Sequence, residues 1–177
     1  SRGLIILWSQ VRVLVGPPIN IEFFVVLILK AFFYRITIMS KIKKELIDSY
    51  SSANYFVYAD PPFIMNIRKF SNELSKLMKD LNFFSASFIT AFNPYSQNLE
   101  LQDNRSRNKV LELKIQAMQF HYLKGDGRCM DSKKVGEESF LVFGTSKMEA
   151  ARLGEEFEQN AIVFCERDAI PDLLLLK

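Results

Sequence analysis

Four stretches of the chain place apolar side chains at helical spacing, so that these side chains would share one side of a helix. Residues 71–82 show the pattern most clearly, and Ser71 is a residue type that favours the N-cap position. The same spacing predicts helices over residues 40–52, 103–119 and 146–159. Asp103 is the expected cap of the third helix, and Ser146 with Glu149 predicts a capping box in the fourth.

Continuous or alternating apolar runs lie between these helices. Residues 139–144 and 160–165 contain continuous apolar runs after their first residue, as expected for strands that are covered on both faces. The helix between them is long enough for a right-handed parallel crossover. Further strands are predicted over residues 54–60, 63–68, 83–92, 119–123 and 170–177. The sequence KGDGR at residues 124–128 predicts a turn, because glycine tolerates a positive φ.

Helices that alternate with strands predict an α/β domain, with α+β as the alternative class. The expected architecture is a single-domain sandwich, in which helices pack on a mixed sheet of about five strands. The strand predicted over residues 83–92 has two different faces. Phe88 and Thr90 would lie on one face, and Ile89 and Ala91 on the other, where small side chains let a helix come close.

The first 38 residues are expected to be a non-native extension, which leaves residues 39–177 as the domain. Val11-Arg12-Val13 can be encoded by GTT CGA GTC, the T-loop sequence of transfer RNA genes, and Met39 resembles a true start. The alternative is a membrane helix or signal peptide over residues 21–38. Charged residues interrupt that run, and no cleavage site follows it. A chain that starts at Met39 is expected in the cytoplasm, without membrane contact.

Charge weakens the case for a nucleic-acid partner. The chain carries a net charge of +3, and residues 1–38 hold four basic side chains against one acidic. The remaining residues are therefore neutral overall, so a nucleic-acid partner is not favoured. Cys129, Cys165 and the single His121 do not have the spacing of a zinc site, and two separated cysteines suit a reducing compartment. No metal or cofactor is predicted.

Polar residues follow the strand at 83–92 and predict a binding loop. Thr90, Asn93, Pro94 and Ser96 lie where α/β folds commonly bind ligands, beyond the end of a buried strand. Because Asn93 precedes Pro94, its backbone is expected to be extended. The competing interpretation is a turn in which these side chains satisfy nearby backbone groups.

Two further pairs complete the predicted site. Asn104 and Arg105 lie in the first turns of the third helix, where backbone N–H groups and a guanidinium hold phosphate or carboxylate. Glu137 and Glu138 are neighbours at the start of a strand, so their side chains should point to opposite faces and only one should enter a pocket. The alternatives are a solvated helix start and a charged strand entrance.

Several segments together resemble a known family. They are FITAFNPYS at 88–96, Asn104, EESFLVFG at 137–144 and ARLGEEFEQNAIVF at 151–164. This series resembles a bacterial family catalogued as domain of unknown function 3293, over roughly residues 50–176. Tryptophan is common in that family where Phe92 stands here, and another precedes the glutamate pair, so a stacking surface is reduced in this chain. The resemblance implies fold and bacterial origin but no chemistry.

Two functions remain open at this stage. The first is a domain that binds a nucleotide or polar metabolite through the predicted site. The second is a non-catalytic module that binds protein or RNA. Its basic surface would be formed by residues of the third helix, namely Arg105, Arg107, Lys109 and Lys114. The sequence does not decide whether the protein is an enzyme.

Overall fold

A computed structural model describes residues 42–129 and 136–177. The predicted non-native extension at residues 1–38 lies outside the described residues. Four α-helices are present in the described part: α1 (Lys44–Ser52), α2 (Asn72–Asp80), α3 (Leu101–Ala117) and α4 (Lys147–Glu156). Each corresponds to one of the four predicted helices, and the domain is mixed α and β as expected.

Within the described residues, the strands form one curled sheet of seven strands, with the shape of a half-barrel. They are β1 (Asn54–Val57), β2 (Phe63–Met65), β3 (Ala86–Ile89), β4 (Tyr122–Arg128), β5 (Glu137–Phe143), β6 (Ala161–Cys165) and β7 (Asp172–Leu175). Their order across the sheet is β2-β1-β4-β5-β3-β6-β7. Every strand pairing in the described part of the chain is antiparallel, so the predictions of about five strands and of a mixed sheet are wrong.

The predicted parallel crossover between β5 and β6 is only partly realised. Both strands pair antiparallel with β3, which lies between them, so β5 and β6 run in the same direction without touching. Phe88 of β3 pairs with Leu141 on one side and Val163 on the other. The apolar runs correctly indicated burial on both faces. They did not indicate parallel pairing, because a central antiparallel strand is buried in the same way.

The segment KGDGR is not a turn but the second part of β4. Gly125 and Gly127 pair with β1 on one side and β5 on the other. A Cβ atom added to Gly125 would lie 2.2 Å from the backbone oxygen of Phe56. The first glycine therefore permits a close approach between two strands, and a local pattern could not distinguish this requirement from a turn.

The two faces of the sheet carry separate cores. The first face includes Phe88 and Leu141 and packs against Leu74 and Met78 of α2. The second face includes Ile89, Ala91 and Val142, and it packs against apolar side chains of α3 and α4, which are Leu111, Ile115, Ala150 and Leu153. The predicted division of the strand at 83–92 between two faces agrees with these clusters.

Two helix starts agree with the predicted caps and one does not. The Ser71 hydroxyl accepts a hydrogen bond from the Leu74 N–H, and Ser146 with Glu149 forms the capping box. The N-cap of α3 is Glu100 and not Asp103, which lies inside the first turn. In the first turn, the acidic Asp103 side chain stabilises the helix dipole without being the cap.

Candidate functional site

The first face of the sheet carries a cavity of about 90 Å³, here called the first-face cavity. Its apolar wall includes Phe88, Val163 and Leu173. Its polar side chains come from α1, from strands β1 and β5 and from loops, and include Tyr55, Thr90, Asn93, Ser96, Glu137 and Ser139. At roughly 10–15 Å³ for each water, such a space accepts a handful of non-hydrogen atoms.

Asn93 stabilises the loop at one end of this cavity. This loop, here called the Asn93 loop, consists of residues 90–100 between β3 and α3. Its backbone is left-handed, with φ at 47° and ψ at 65°, and not extended as predicted from the following proline. Asparagine tolerates this conformation because its side chain bonds to nearby groups. Here its amide oxygen accepts hydrogen bonds from the Leu99 N–H and Asn104 Nδ2, at 3.0 and 2.9 Å. Its Nδ2 donates to Glu137 Oε1 at 2.6 Å.

Asn104 is buried beneath the same loop. Its Oδ1 accepts a hydrogen bond from the Asn93 N–H at 2.7 Å, and its Nδ2 also donates to the Leu99 backbone oxygen at 3.2 Å. All of its hydrogen-bonding groups therefore serve the loop. Asn108, one helical turn later, is buried in a similar way, accepting from the Ala91 N–H and donating to the Glu138 backbone oxygen.

The structure brings four of the eight predicted residues to the first-face cavity, namely Thr90, Asn93, Ser96 and Glu137. Pro94 lies in the short 3₁₀ turn that carries Ser96. The Ser96 hydroxyl is 2.6 Å from the Tyr50 hydroxyl and accepts a hydrogen bond from Asn160 Nδ2. Thr90 donates to the Glu138 backbone oxygen at 2.7 Å.

Glu137 and Glu138 point to opposite faces, as their adjacency in a strand requires. Glu137 lines the first-face cavity, whereas Glu138 lines an open groove of about 490 Å³ on the other side, here called the second-face groove. There Glu138 accepts a hydrogen bond from Arg105 Nε at 2.9 Å. The eight predicted residues therefore do not form one site, because Arg105 and Glu138 are separated from the cavity by the sheet.

The second-face groove contains a buried carboxylate that the sequence prediction missed. The Glu112 side chain is 8 % exposed. It forms ion pairs with Lys109 and Lys124, and it accepts a hydrogen bond from the Tyr122 hydroxyl. The sequence signal for this buried carboxylate was the spacing of Asn104, Asn108 and Glu112, which places three polar side chains on one side of α3. That side is buried, while the apolar Val110 and Leu113 are exposed.

Stability should depend on pH through Glu112. The hydrogen bond from Lys109, reinforced by Lys124 and Tyr122, lowers the pKa of Glu112 below 4.5. Its contribution is present above the pKa of the unfolded chain and is lost as pH falls through the lower folded pKa. In urea titrations from neutral pH to below pH 4.5, the Glu112→Gln variant should lose less stability than the parent. An identical loss in both proteins would contradict this assignment.

The four basic residues that suggested an RNA-binding helix each face a carboxylate. The partners of Arg105, Arg107, Lys109 and Lys114 are Glu138, Glu158, Glu112 and Glu156, respectively. Arg107 also donates to the backbone oxygens of Ala91 and Phe157, which ties α3 to two loops. This surface is therefore largely neutralised and does not favour the RNA hypothesis.

Tyr50, Tyr55, Gly127 and Ser139 also line the first-face cavity and were not predicted. Tyr55 is buried, and its hydroxyl donates to the Tyr50 backbone oxygen at 2.8 Å. Burial, with smaller effects of Cys129, Tyr50 and Glu137, raises the pKa of Tyr55 above its usual value. The one local signal in the sequence was Ser139, a hydroxyl between the glutamate pair and the apolar run that follows it.

Within residues 42–129 and 136–177, no group of three or more histidine, cysteine or acidic side chains is arranged to hold a metal ion. In the same residues, every helix is too short or too polar to cross a membrane.

Comparison with known proteins identifies one family. The family described as "Protein of unknown function (DUF3293)" matches residues 89–162, which run from the end of β3 into β6. No curated protein and no solved structure matches the chain. The matched region contains nearly all of the segments that carry the resemblance, namely residues 88–96, Asn104, residues 137–144 and residues 151–164. The chain is therefore similar to the DUF3293 family over residues 89–162, in agreement with the resemblance seen in its sequence.

Proposed function

We propose that the protein binds a small polar molecule in the first-face cavity. The observation that carries this proposal is the combination of an apolar wall with convergent polar side chains in one partly enclosed space. Phe88 and Val163 provide the wall, while Thr90, Ser139 and Glu137 provide the polar groups. This composition is typical of small-molecule sites, in which apolar contacts give affinity and a few polar groups fix orientation.

The polar groups are held in fixed positions before any ligand arrives. Asn93 joins the loop to Glu137, and Asn104 joins the same loop to α3. Ser139 donates to the Glu137 backbone oxygen at 2.7 Å. A preorganised site loses less conformational freedom on binding, so these contacts support affinity even though Asn104 itself does not line the cavity.

Size and charge favour a polar metabolite over a nucleotide. The cavity of about 90 Å³ is small for a base with its sugar and phosphate. Neither lysine nor arginine is among the described residues that line it. Phosphate recognition depends on such cations or on a helix N-terminus, so the lining gives no support to a nucleotide ligand.

A cavity-filling variant tests the location. Gly127 lines the cavity, and an added Cβ would contact only the Tyr55 ring, at 3.8 Å, so Gly127→Val should fill the cavity without unfolding the sheet. The probes are small alcohols, amides and amines of up to about six non-hydrogen atoms. A probe at ten times its dissociation constant stabilises by about 1.4 kcal/mol, which raises the Tm by a few degrees.

We expect at least one probe to stabilise the parent and not Gly127→Val. The control is Ile64→Val on the exposed edge strand β2, which should respond like the parent. If every stabilising probe acts equally on Gly127→Val, binding occurs elsewhere and the proposal fails. It fails also if none of the probes stabilises the folded parent.

A further inference from the structure

The second-face groove is larger than the first-face cavity and has no part in the proposed function. Its volume of about 490 Å³ lies within the range of about 300–1,000 Å³ that small-molecule sites commonly have. Among the described residues that line it, three side chains are basic and two are acidic, namely Arg105, Lys109, Lys124, Glu112 and Glu138. The groove therefore carries one positive charge in excess.

The excess positive charge is located around Glu112. Lys109 Nζ lies 2.7 Å from Glu112 Oε2, and Lys124 Nζ lies 3.2 Å from Glu112 Oε1, so two ammonium groups share one carboxylate. The carboxylate is buried, whereas the side chains of Lys109 and Lys124 are 62 % and 65 % exposed. The negative charge is thus covered, while both positive charges remain accessible to a molecule in the groove.

The other charges near the groove are balanced. Arg105 Nε donates to Glu138 Oε1 at 2.9 Å, which pairs one cation with one anion. The neighbouring Asp126 carboxylate accepts two hydrogen bonds from Arg128, each at 2.7 Å. Neither pair alters the excess of one positive charge.

Aromatic side chains also line the groove. Phe140 of β5 is buried, and Tyr58, which directly follows β1, is exposed. The Tyr58 hydroxyl donates to Asp126 Oδ2, so the position of the ring is fixed from its polar end. An exposed ring of this kind offers an apolar surface on which another aromatic ring can stack.

We propose that the second-face groove binds an aromatic monocarboxylate, with the carboxylate held by Lys109 and Lys124 and the ring against Tyr58. An ammonium group has three donors, so one contact with Glu112 leaves each lysine the capacity to bind a second anion. One negative charge on the ligand neutralises the excess. A second would meet the carboxylates of Glu112 and Glu138 without a further cation to balance it.

Four probes that share a phenyl ring test this assignment. They are phenylacetate, 2-phenylethanol, 2-phenylethylammonium and phenyl phosphate. Their dissociation constants are measured at pH 7 by NMR titration of the ¹⁵N-labelled full chain. Because contacts to exposed lysines are individually weak, we expect phenylacetate to bind about fivefold more tightly than 2-phenylethanol. The cation should bind more weakly than the alcohol, and phenyl phosphate no more tightly than phenylacetate.

Two lysines supply a matched pair of variants. Lys124→Gln removes the excess cation and leaves Lys109 paired with Glu112, so phenylacetate should lose its fivefold advantage over 2-phenylethanol. Lys114→Gln removes the same charge from the chain, but Lys114 pairs with Glu156 and is not among the described residues that line the groove. This control should retain the advantage.

A variant with the opposite effect provides a second measurement that does not depend on Lys124→Gln folding. Glu112→Gln removes the carboxylate that the two lysines share, so it should tighten phenylacetate several-fold and leave 2-phenylethanol nearly unchanged. The same affinity for phenylacetate as in the parent, or a weaker one, would contradict the proposal.

The remaining outcomes are equally decisive. Equal affinities of phenylacetate and 2-phenylethanol in the parent would overturn the proposal, and so would a preference that Lys124→Gln retains or Lys114→Gln loses. Tightest binding by phenyl phosphate would overturn the carboxylate assignment, and absence of binding by all four probes would overturn the site. Phenylacetate has about ten non-hydrogen atoms, more than the first-face cavity accepts, so Gly127→Val should leave its binding unchanged and the proposed function is tested separately.

Discussion

Replacing Asn104 by alanine is expected to lower the free energy of unfolding by about 2–4 kcal/mol. The substitution removes three hydrogen bonds, one to the Asn93 N–H, one to Asn93 Oδ1 and one to the Leu99 backbone oxygen. Asn104 is 4 % exposed, so water cannot readily replace these partners. Leaving buried donors and acceptors unsatisfied costs about 1–3 kcal/mol for each group, before any loss of packing.

Urea unfolding of Asn104→Ala and of Gln102→Ala provides the comparison. Gln102 lies in the same helix but is exposed, so its truncation should change stability by about 0.5 kcal/mol or less. Equal stabilities of the two variants would show that the Asn93 loop is not held by α3. The preorganisation invoked for the first-face cavity would then lose its basis.

Replacing Gly125 by alanine is expected to cost about 3 kcal/mol. An ideal Cβ at this position lies 2.2 Å from the backbone oxygen of Phe56 and 2.9 Å from the Phe88 ring. The backbone oxygen belongs to the neighbouring strand β1, so relief requires a shift of the sheet and not just of a side chain. Such overpacking typically costs about 1–3 kcal/mol, and a clash with backbone lies at the upper end or beyond.

Gly127 is the matched control in the same strand. Its added Cβ would be 3.8 Å from the Tyr55 ring, an ordinary van der Waals contact, so Gly127→Ala should be nearly neutral. Thermal and urea unfolding of both variants measure the difference. Comparable stabilities would contradict the close approach of β1 and β4 at Gly125, and would favour the turn that the sequence suggested for this segment.

The helices could be predicted because their signals are local. Ser71 and the Ser146–Glu149 pair lie within one turn of the groups that they cap, and the apolar spacing of α2 and α4 is contained in each helix. The strand pairings could not be predicted in the same way. Phe88 and Val163 are neighbours across two strands but are far apart in the chain. No local pattern in the sequence indicates that β3 lies between β5 and β6 in the sheet.

The candidate site was predictable to the extent that local geometry fixes it. The opposite directions of Glu137 and Glu138 follow from strand alternation, and the structure shows that they line different spaces. Tyr55 and Ser139 face the same cavity only because β1 and β5 both pair with β4. The polar side of α3 was overlooked because buried helix faces are normally apolar.

The central claim is that small polar ligands bind in the first-face cavity. Its most direct test is a two-dimensional NMR titration of the ¹⁵N-labelled chain with 1-butanol and n-butylammonium in parallel. The largest amide shift changes are expected at Gly127, Ser139 and Val163, which lie on three strands around the cavity. Changes concentrated instead at Arg105, Lys109 and Lys124 would place the ligand in the second-face groove and contradict the account.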